Sequence, residues 1–102
     1  MKKTNYNNEP FFTYQIGSDR YAYAVVKQIS PTRIEVQSMD STQVGDYWNN
    51  QKWIHAFDEN RKTRVISFRT NKHGRSYWRE MGSQTGYWSP SNEPDTYRDP
   101  CF

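Results

Sequence analysis

The sequence contains no leucine among its 102 residues. Leucine is a strong helix former, whereas aromatic and β-branched side chains suit the pleated, half-buried surface of a strand. In place of leucine the chain carries 17 aromatic residues, together with five isoleucines and five valines. This composition predicts an all-β domain whose core consists largely of aromatic rings. Rings that remain outside the core are available to stack on a ligand.

Cysteine and long apolar runs are also scarce. The single cysteine, Cys101, cannot form an intramolecular disulfide, which excludes the disulfide framework of a small secreted domain. The polar start of the chain has no apolar segment of the kind a signal peptide needs, and no run of 18 apolar residues occurs anywhere. We therefore expect a cytoplasmic protein with no membrane association.

Catalytic and metal-binding signatures are missing as well. The two histidines, His55 and His73, fall on a predicted strand and in a predicted turn, with no nucleophile motif and no second ligand at metal-binding spacing. The glycines Gly82 and Gly86 lack the lysine and the helix that a phosphate-binding loop requires. We expect no enzymatic activity, no metal and no cofactor.

Strand patterns divide the chain into a meander of about six strands. The predicted strands are residues 11–16, 21–29, 33–37, 51–57, 63–70 and 75–81. Residues 39–50 have neither helical nor strand periodicity and predict a long connection. A chain of this length suffices for one core, so residues 11–102 form a single domain and residues 1–10 a flexible N-terminus.

The tail, residues 86–102, contains Pro90, Pro94 and Pro100, which excludes a long helix or a central strand. Its aromatic residues predict that it wraps back over an open end or edge of the sheet. Because closing the sheet removes exposed edges, the pattern favours a small SH3-like or OB-like barrel. An open meander covered by the tail is the alternative.

Several short motifs occur in an unusual order. They are Asp19-Arg20, Ala24-Val25-Val26, Arg33-Ile34-Glu35-Val36-Gln37, Phe68-Arg69, Asn71-Lys72-His73-Gly74-Arg75 and the ending Tyr97-Arg98-Asp99-Pro100-Cys101-Phe102. Over residues 19–102 this order resembles a family of small, uncharacterised proteins of phages and prophages that end in Tyr-Arg-Asp-Pro-x-Phe. The chain departs from that pattern at Tyr21, where the family has His, at Ser76-Tyr77, which are inserted, and at Cys101, where the family has Ser.

The resemblance implies a viral or mobile-element origin, a compact β fold and a location in the cytoplasm of an infected bacterial host. It implies no activity.

Charge is concentrated in the middle of the chain. Residues 51–80 carry eight Lys and Arg against three Asp and Glu, a net charge of +5, whereas the whole chain has a net charge of +3. Such a segment attracts phosphates or an acidic partner. A solvated sheet face explains the same charges equally well.

Within this segment basic and aromatic residues alternate along two predicted strands and the turn between them. The candidate ligand-binding residues are Arg64, Arg69, Lys72, Arg75, Tyr77 and Arg79. On the second strand Arg75, Tyr77 and Arg79 share one face, and Trp78 lies on the other. Guanidinium groups beside a ring are suited to phosphate and base recognition. Cation–π and charge pairing on a soluble face is the alternative.

Two function classes follow. The first is a non-catalytic binding protein for nucleic acid or for a nucleotide signal of host defence. The second is an anti-defence inhibitor that binds a host protein directly, with Trp48 and Trp88, from the Asp46-Tyr47-Trp48 and Tyr87-Trp88 segments, as exposed anchors. Tyr97-Arg98-Asp99-Pro100 is interpreted as a docking latch. Homo-oligomerisation is left open, because barrels with an exposed strand edge often dimerise.

Overall fold

Eight β-strands provide the regular structure of residues 6–44, 51–82 and 86–98, which are the residues that the computed structural model describes. They are β1 (Phe11–Ile16), β2 (Asp19–Ser30), β3 (Arg33–Ser38), β4 (Asp40–Gln43), β5 (Trp53–Ala56), β6 (Thr63–Thr70), β7 (Ser76–Glu80) and β8 (Tyr87–Ser91). These described segments contain no helix. The all-β prediction is confirmed.

Six of the strands close into an antiparallel barrel in the order β1-β2-β3-β6-β7-β8, with β8 returning to pair with β1. The β1–β2 hairpin runs in continuous register from Phe11↔Ala24 to Ile16↔Asp19. Strands β6 and β7 pair from Ile66↔Glu80 to Thr70↔Ser76. The predicted small barrel of about six strands in meander order is therefore confirmed.

The two remaining strands correct the prediction for residues 39–50. Strand β4 pairs with β5 as a separate two-stranded ribbon, in register from Asp40↔Ala56 to Gln43↔Trp53. All four residues of β4, Asp-Ser-Thr-Gln, are polar, so they show no alternation of apolar and polar side chains. This strand forms because of its pairing with β5, and its own sequence does not predict it. The strand predicted at residues 51–57 exists as β5, in the ribbon and not in the barrel.

The tail also corrects a prediction, because β8 is a strand inside the closed barrel although it contains Pro90. Strand β8 pairs with β1 from Gln15↔Tyr87 to Phe11↔Ser91, whereas its register with β7 is the single pair Trp78↔Trp88. Pro90 thus has no registered partner on β7, and its missing N–H interrupts no ladder on that side.

The barrel interior is filled by rings. Trp78 is 1% exposed and packs edge-on against Phe12, with 5.3 Å between ring centroids, and against Phe68 at 5.2 Å. A second group forms around Trp88, whose ring lies 4.5 Å from that of Tyr14. The prediction of an aromatic core is confirmed. The prediction of an exposed Trp88 anchor is wrong, because this side chain is only 4% exposed; Trp48 lies outside the described residues.

The chain after β8 docks onto the barrel and the ribbon. Arg20 and Tyr97 exchange two backbone hydrogen bonds of 2.9 and 3.0 Å, and Arg20 Nε lies 2.7 Å from Asp95 Oδ2. The Arg98 guanidinium lies 3.9 Å from the centroid of the Tyr21 ring. Tyr97 and Arg98 are therefore docking residues, as predicted; Asp99 and Pro100 lie outside the described residues.

His55 of β5 belongs to the same docked region. Its Nε2 lies 2.8 Å from Thr96 Oγ1, and Thr96 Oγ1 in turn lies 3.2 Å from Ser41 Oγ. Burial lowers the pKa of His55 below its ordinary value, and the negative charge of Asp95 opposes that effect. The folded protein therefore takes up a proton at this ring less readily than the unfolded chain does.

This difference predicts a modest loss of stability in mild acid. As the pH falls through about 6.5, the ordinary pKa of histidine, the unfolded chain binds the proton first, so the free energy of unfolding falls. Urea denaturation at pH 7.5 and pH 5.5 measures the loss. His55→Gln should make this loss of stability smaller, whereas His73→Gln, a change in an exposed turn, should leave the loss as it is. Equal pH dependence in His55→Gln and the unchanged protein would contradict the assignment.

Candidate binding groove on the barrel wall

Alternation along β7 determines which side chains face away from the core. Trp78 points inward, so Arg75, Tyr77 and Arg79 lie on the outer side. On β6 the buried Ile66 likewise places Ser67 and Arg69 outward. The register sets Arg69 opposite Tyr77 and Ser67 opposite Arg79. Four of the predicted ligand-binding residues, Arg69, Arg75, Tyr77 and Arg79, therefore share one face.

A groove of about 350 Å³ follows the seam between β7 and β8. Its walls include Asn71, Arg75, Tyr77, Arg79, Gly86 and Tyr87. Strands β7 and β8 register only at Trp78↔Trp88, so the seam beside the groove is not closed by a continuous ladder. We call it the seam groove. It brings together three of the predicted residues, Arg75, Tyr77 and Arg79.

The turn between β6 and β7 holds Arg75 in place. Asn71 Oδ1 accepts hydrogen bonds from the backbone N–H groups of His73, at 2.9 Å, and Arg75, at 3.0 Å. The Asn71 N–H donates to the Arg75 carbonyl at 2.9 Å, and Gly74 takes the positive φ of 82° that the turn needs. Arg75 thus projects from a backbone with fixed geometry at one end of the seam groove.

Tyr87, and not Trp88, is the exposed ring of the Tyr87-Trp88 pair. The sequence favours Trp88 as the anchor, but Trp88 packs in the core, and Tyr87, which is 72% exposed, lines the seam groove. Alternation shows only that the two rings face opposite ways. Which of them faces the core depends on the register with β1, where Trp88 lies opposite the buried Tyr14.

The charges on this face are not neutralised by carboxylates. Arg20, Arg61 and Arg64 form the ion pairs seen among residues 6–44, 51–82 and 86–98. Within those same segments Arg75 and Arg79 have no ion-pair partner, and Arg69 donates only to Ser67 Oγ, at 3.2 Å. The outer face of β6 and β7 therefore carries positive charge without an ion-pair partner, beside the half-buried ring of Tyr77 and the exposed ring of Tyr87.

Three predicted residues, Arg64, Arg69 and Lys72, lie outside the wall of the seam groove. Arg64 is on the inward side of β6, at one end of the barrel, where its Nη1 lies 2.8 Å from Glu80 Oε1 and its guanidinium lies 5.9 Å from the Tyr23 ring. Arg64 is thus paired within the protein and is not part of the candidate site. Lys72 is exposed in the β6–β7 turn, next to the groove but not in its wall.

Other kinds of site are not formed by the described parts of the chain. No group of three or more His, Cys, Asp or Glu residues in them is arranged to hold a metal ion. The described residues also contain no helix of the length and apolarity needed to cross a membrane.

Comparison of the chain with protein-family models, curated proteins and solved structures found no match. The fold and the groove themselves define a class: a small six-stranded up-and-down β-barrel with a basic and aromatic groove on its wall. The chemistry of that groove is therefore the basis on which a function can be inferred.

Proposed function

We propose that this chain is a non-catalytic, phage-encoded binding protein that holds a phosphate-bearing ligand in the seam groove. The ligand class is nucleic acid or a nucleotide signal of host defence, met in the cytoplasm of the infected bacterium. One observation carries the proposal: Arg75 and Arg79 enter the same groove as Tyr77 and Tyr87, with no carboxylate partner among the described residues.

The chemistry of the groove suits such a ligand. An arginine offers several N–H donors in a planar fork that matches phosphate oxygens, and an exposed ring stacks on a base. The volume of about 350 Å³ falls within the range of small-molecule sites, which begins at about 300 Å³. Sequestering a nucleotide needs affinity and no bond cleavage, so the site requires no catalytic group.

Replacing Arg75 or Arg79 with alanine tests the proposal. The probes are short single-stranded oligonucleotides, cyclic dinucleotides and trinucleotides, and ADP-ribose, screened by thermal shift and native mass spectrometry. Each variant should weaken binding of the retained probe by about ten- to a hundredfold, because a hydrogen bond to a charged group contributes about 1.5–3 kcal/mol. Lys27→Ala removes the same charge from an exposed position on β2 and should leave binding unchanged.

If none of the probes binds, the proposal is contradicted, and the second candidate is favoured. This candidate is an anti-defence inhibitor that binds a host protein directly. A specific feature supports that candidate: the ribbon exposes Ile54 by 60%, and Phe57, which follows it, by 64%. Large apolar side chains of this kind anchor protein interfaces. A pull-down with Ile54→Ser and Phe57→Ser as controls then locates the partner surface.

A further inference from the structure

Ser67 lies at the centre of three arginines. The strand register places Arg33 of β3 directly opposite Ser67 on one side and Arg79 of β7 directly opposite on the other. Arg69 reaches the same position from β6 itself, because its Nε donates to Ser67 Oγ at 3.2 Å. Ser67 is only 5% exposed although it faces outward. Neighbouring side chains therefore cover it, and the register places three arginines around this one small residue.

No described carboxylate lies within ion-pair distance of this arginine cluster, Arg33, Arg69 and Arg79. None of the three forms an ion pair within the described segments, and the described ion pairs lie elsewhere on the barrel. Three like charges around a single serine repel one another, so the arrangement favours an anion that bridges them. The nearest carboxylate along β3, Glu35, accepts a hydrogen bond from Thr63.

A second groove, of about 270 Å³, begins at this cluster on the side away from the seam. Arg33, Ser67, Phe68 and Arg69 line it, so it shares the arginine cluster with the face that carries the seam groove. Among the described residues no Asp or Glu lines either groove. The two grooves and the cluster between them form a basic track that crosses β3, β6 and β7 towards β8.

The length of this track exceeds what one phosphate group covers. Neighbouring strands lie about 4.8 Å apart, so the backbones at Arg33 and Arg79, two strands apart, are separated by roughly 10 Å. A mononucleotide seated between Tyr77 and Tyr87 contacts Arg75 and Arg79 and leaves Arg33 without an anion. Only a ligand with several phosphates in a line engages both grooves.

We infer that the ligand is a single-stranded nucleic acid of two or more nucleotides whose backbone runs from the seam groove across the arginine cluster. This inference rests on the proposed function and narrows it. A base stacks on Tyr87 or Tyr77 in the seam groove, and the next phosphate along the chain lies over Ser67, among Arg33, Arg69 and Arg79. The strand must be single, because exposed rings stack on bases that a duplex keeps paired and stacked.

The test is the dependence of affinity on chain length. The probes are 5′-phosphorylated oligothymidylates of one, two, four and six nucleotides, an oligouridylate of six and a hairpin duplex, measured by titration calorimetry at two salt concentrations. We expect affinity to rise at least tenfold between one and four nucleotides and to exceed that for the duplex.

The variants separate the two parts of the track. Arg33→Ala and Arg69→Ala should each weaken binding of the tetranucleotide about tenfold and leave mononucleotide binding unchanged. Each should also reduce, by about 0.7, the steepness with which the logarithm of tetranucleotide affinity falls with the logarithm of salt concentration. Arg75→Ala should weaken both probes, and Lys27→Ala neither. Circular dichroism confirms that each variant is folded, and Arg33→Lys should restore part of the affinity because it restores the charge.

Three results overturn the inference while the proposed function stands. They are a mononucleotide or cyclic dinucleotide that binds as tightly as the tetranucleotide, a tetranucleotide affinity unaffected by Arg33→Ala and Arg69→Ala, and duplex binding as tight as single-strand binding. If no phosphate-bearing probe binds, the proposed function fails together with the inference.

Discussion

Trp78→Ala is expected to lower the free energy of unfolding by about 3–5 kcal/mol, the range found when a large buried aromatic side chain is truncated. Trp78 is 1% exposed, and its ring contacts those of Phe12, Phe68 and Tyr6 at centroid distances of 5.3, 5.2 and 6.3 Å. Truncation leaves a cavity between rings that belong to β1, β6 and the segment before β1. These stiff neighbours fill the space poorly.

Urea denaturation followed by circular dichroism measures this loss. In a domain of this size a change of 1 kcal/mol shifts Tm by about 4–8 °C, so Trp78→Ala should melt at least about 12 °C below the unchanged protein. Tyr87→Ala is the matched control, because it removes an aromatic ring from the adjacent strand that is 72% exposed, and it should change stability little. Similar losses in both variants would show that Trp78 does not organise the core.

Gly86→Ala is expected to destabilise the protein by about 2–4 kcal/mol through two separate effects. Gly86 has a φ of 76°, a conformation that costs a residue with a Cβ about 1–2 kcal/mol. A Cβ at this position would also lie 2.7 Å from Cζ and 2.8 Å from the hydroxyl oxygen of Tyr14. The Tyr14 ring packs against Trp88 and cannot move away without disturbing the core.

Gly82→Ala separates the two effects. Gly82 precedes β8 in the same connection and has a similar φ of 85°, but no atom of the described residues lies within 4 Å of a Cβ placed there. Gly82→Ala should therefore lower the free energy of unfolding only by the cost of the strained backbone conformation, about 1–2 kcal/mol. Urea denaturation measures the free energy of unfolding of both variants. The additional loss in Gly86→Ala is the cost of the steric clash with Tyr14. Equal losses would contradict that contact.

Gly86 also links stability to the candidate site, because it lines the seam groove while it touches the core ring of Tyr14. The groove wall is thus built directly on the aromatic core. A ligand that binds the groove and not the unfolded chain should raise Tm, and the rise should grow with the logarithm of the ligand concentration once that concentration exceeds Kd. This coupling makes thermal shift a suitable first screen for the ligand.

Local patterns in the sequence determined most of the barrel. The strand Phe11–Ile16 and the strand Thr63–Thr70 have the predicted bounds, because each reads as an apolar or alternating run between clear turn residues. The same alternation placed Arg75, Tyr77 and Arg79 opposite Trp78 on β7. These features depend only on the two-residue period of a strand and on a composition in which aromatic residues take the place of leucine. Both can be read directly from the sequence.

Other features depended on which strands become neighbours. The pairing of β4 with β5, the closure of the barrel by β8 and the burial of Trp88 in place of Tyr87 require partners distant in sequence. Register alone brings Arg33 to Ser67 and directs Arg64 to Glu80 at the end of the barrel. The chain's composition and alternation thus predict an aromatic β-barrel with one basic face. Which rings and charges meet on that face depends on the register between strands distant in sequence, such as β3 and β6, and neither strand's own pattern fixes that register.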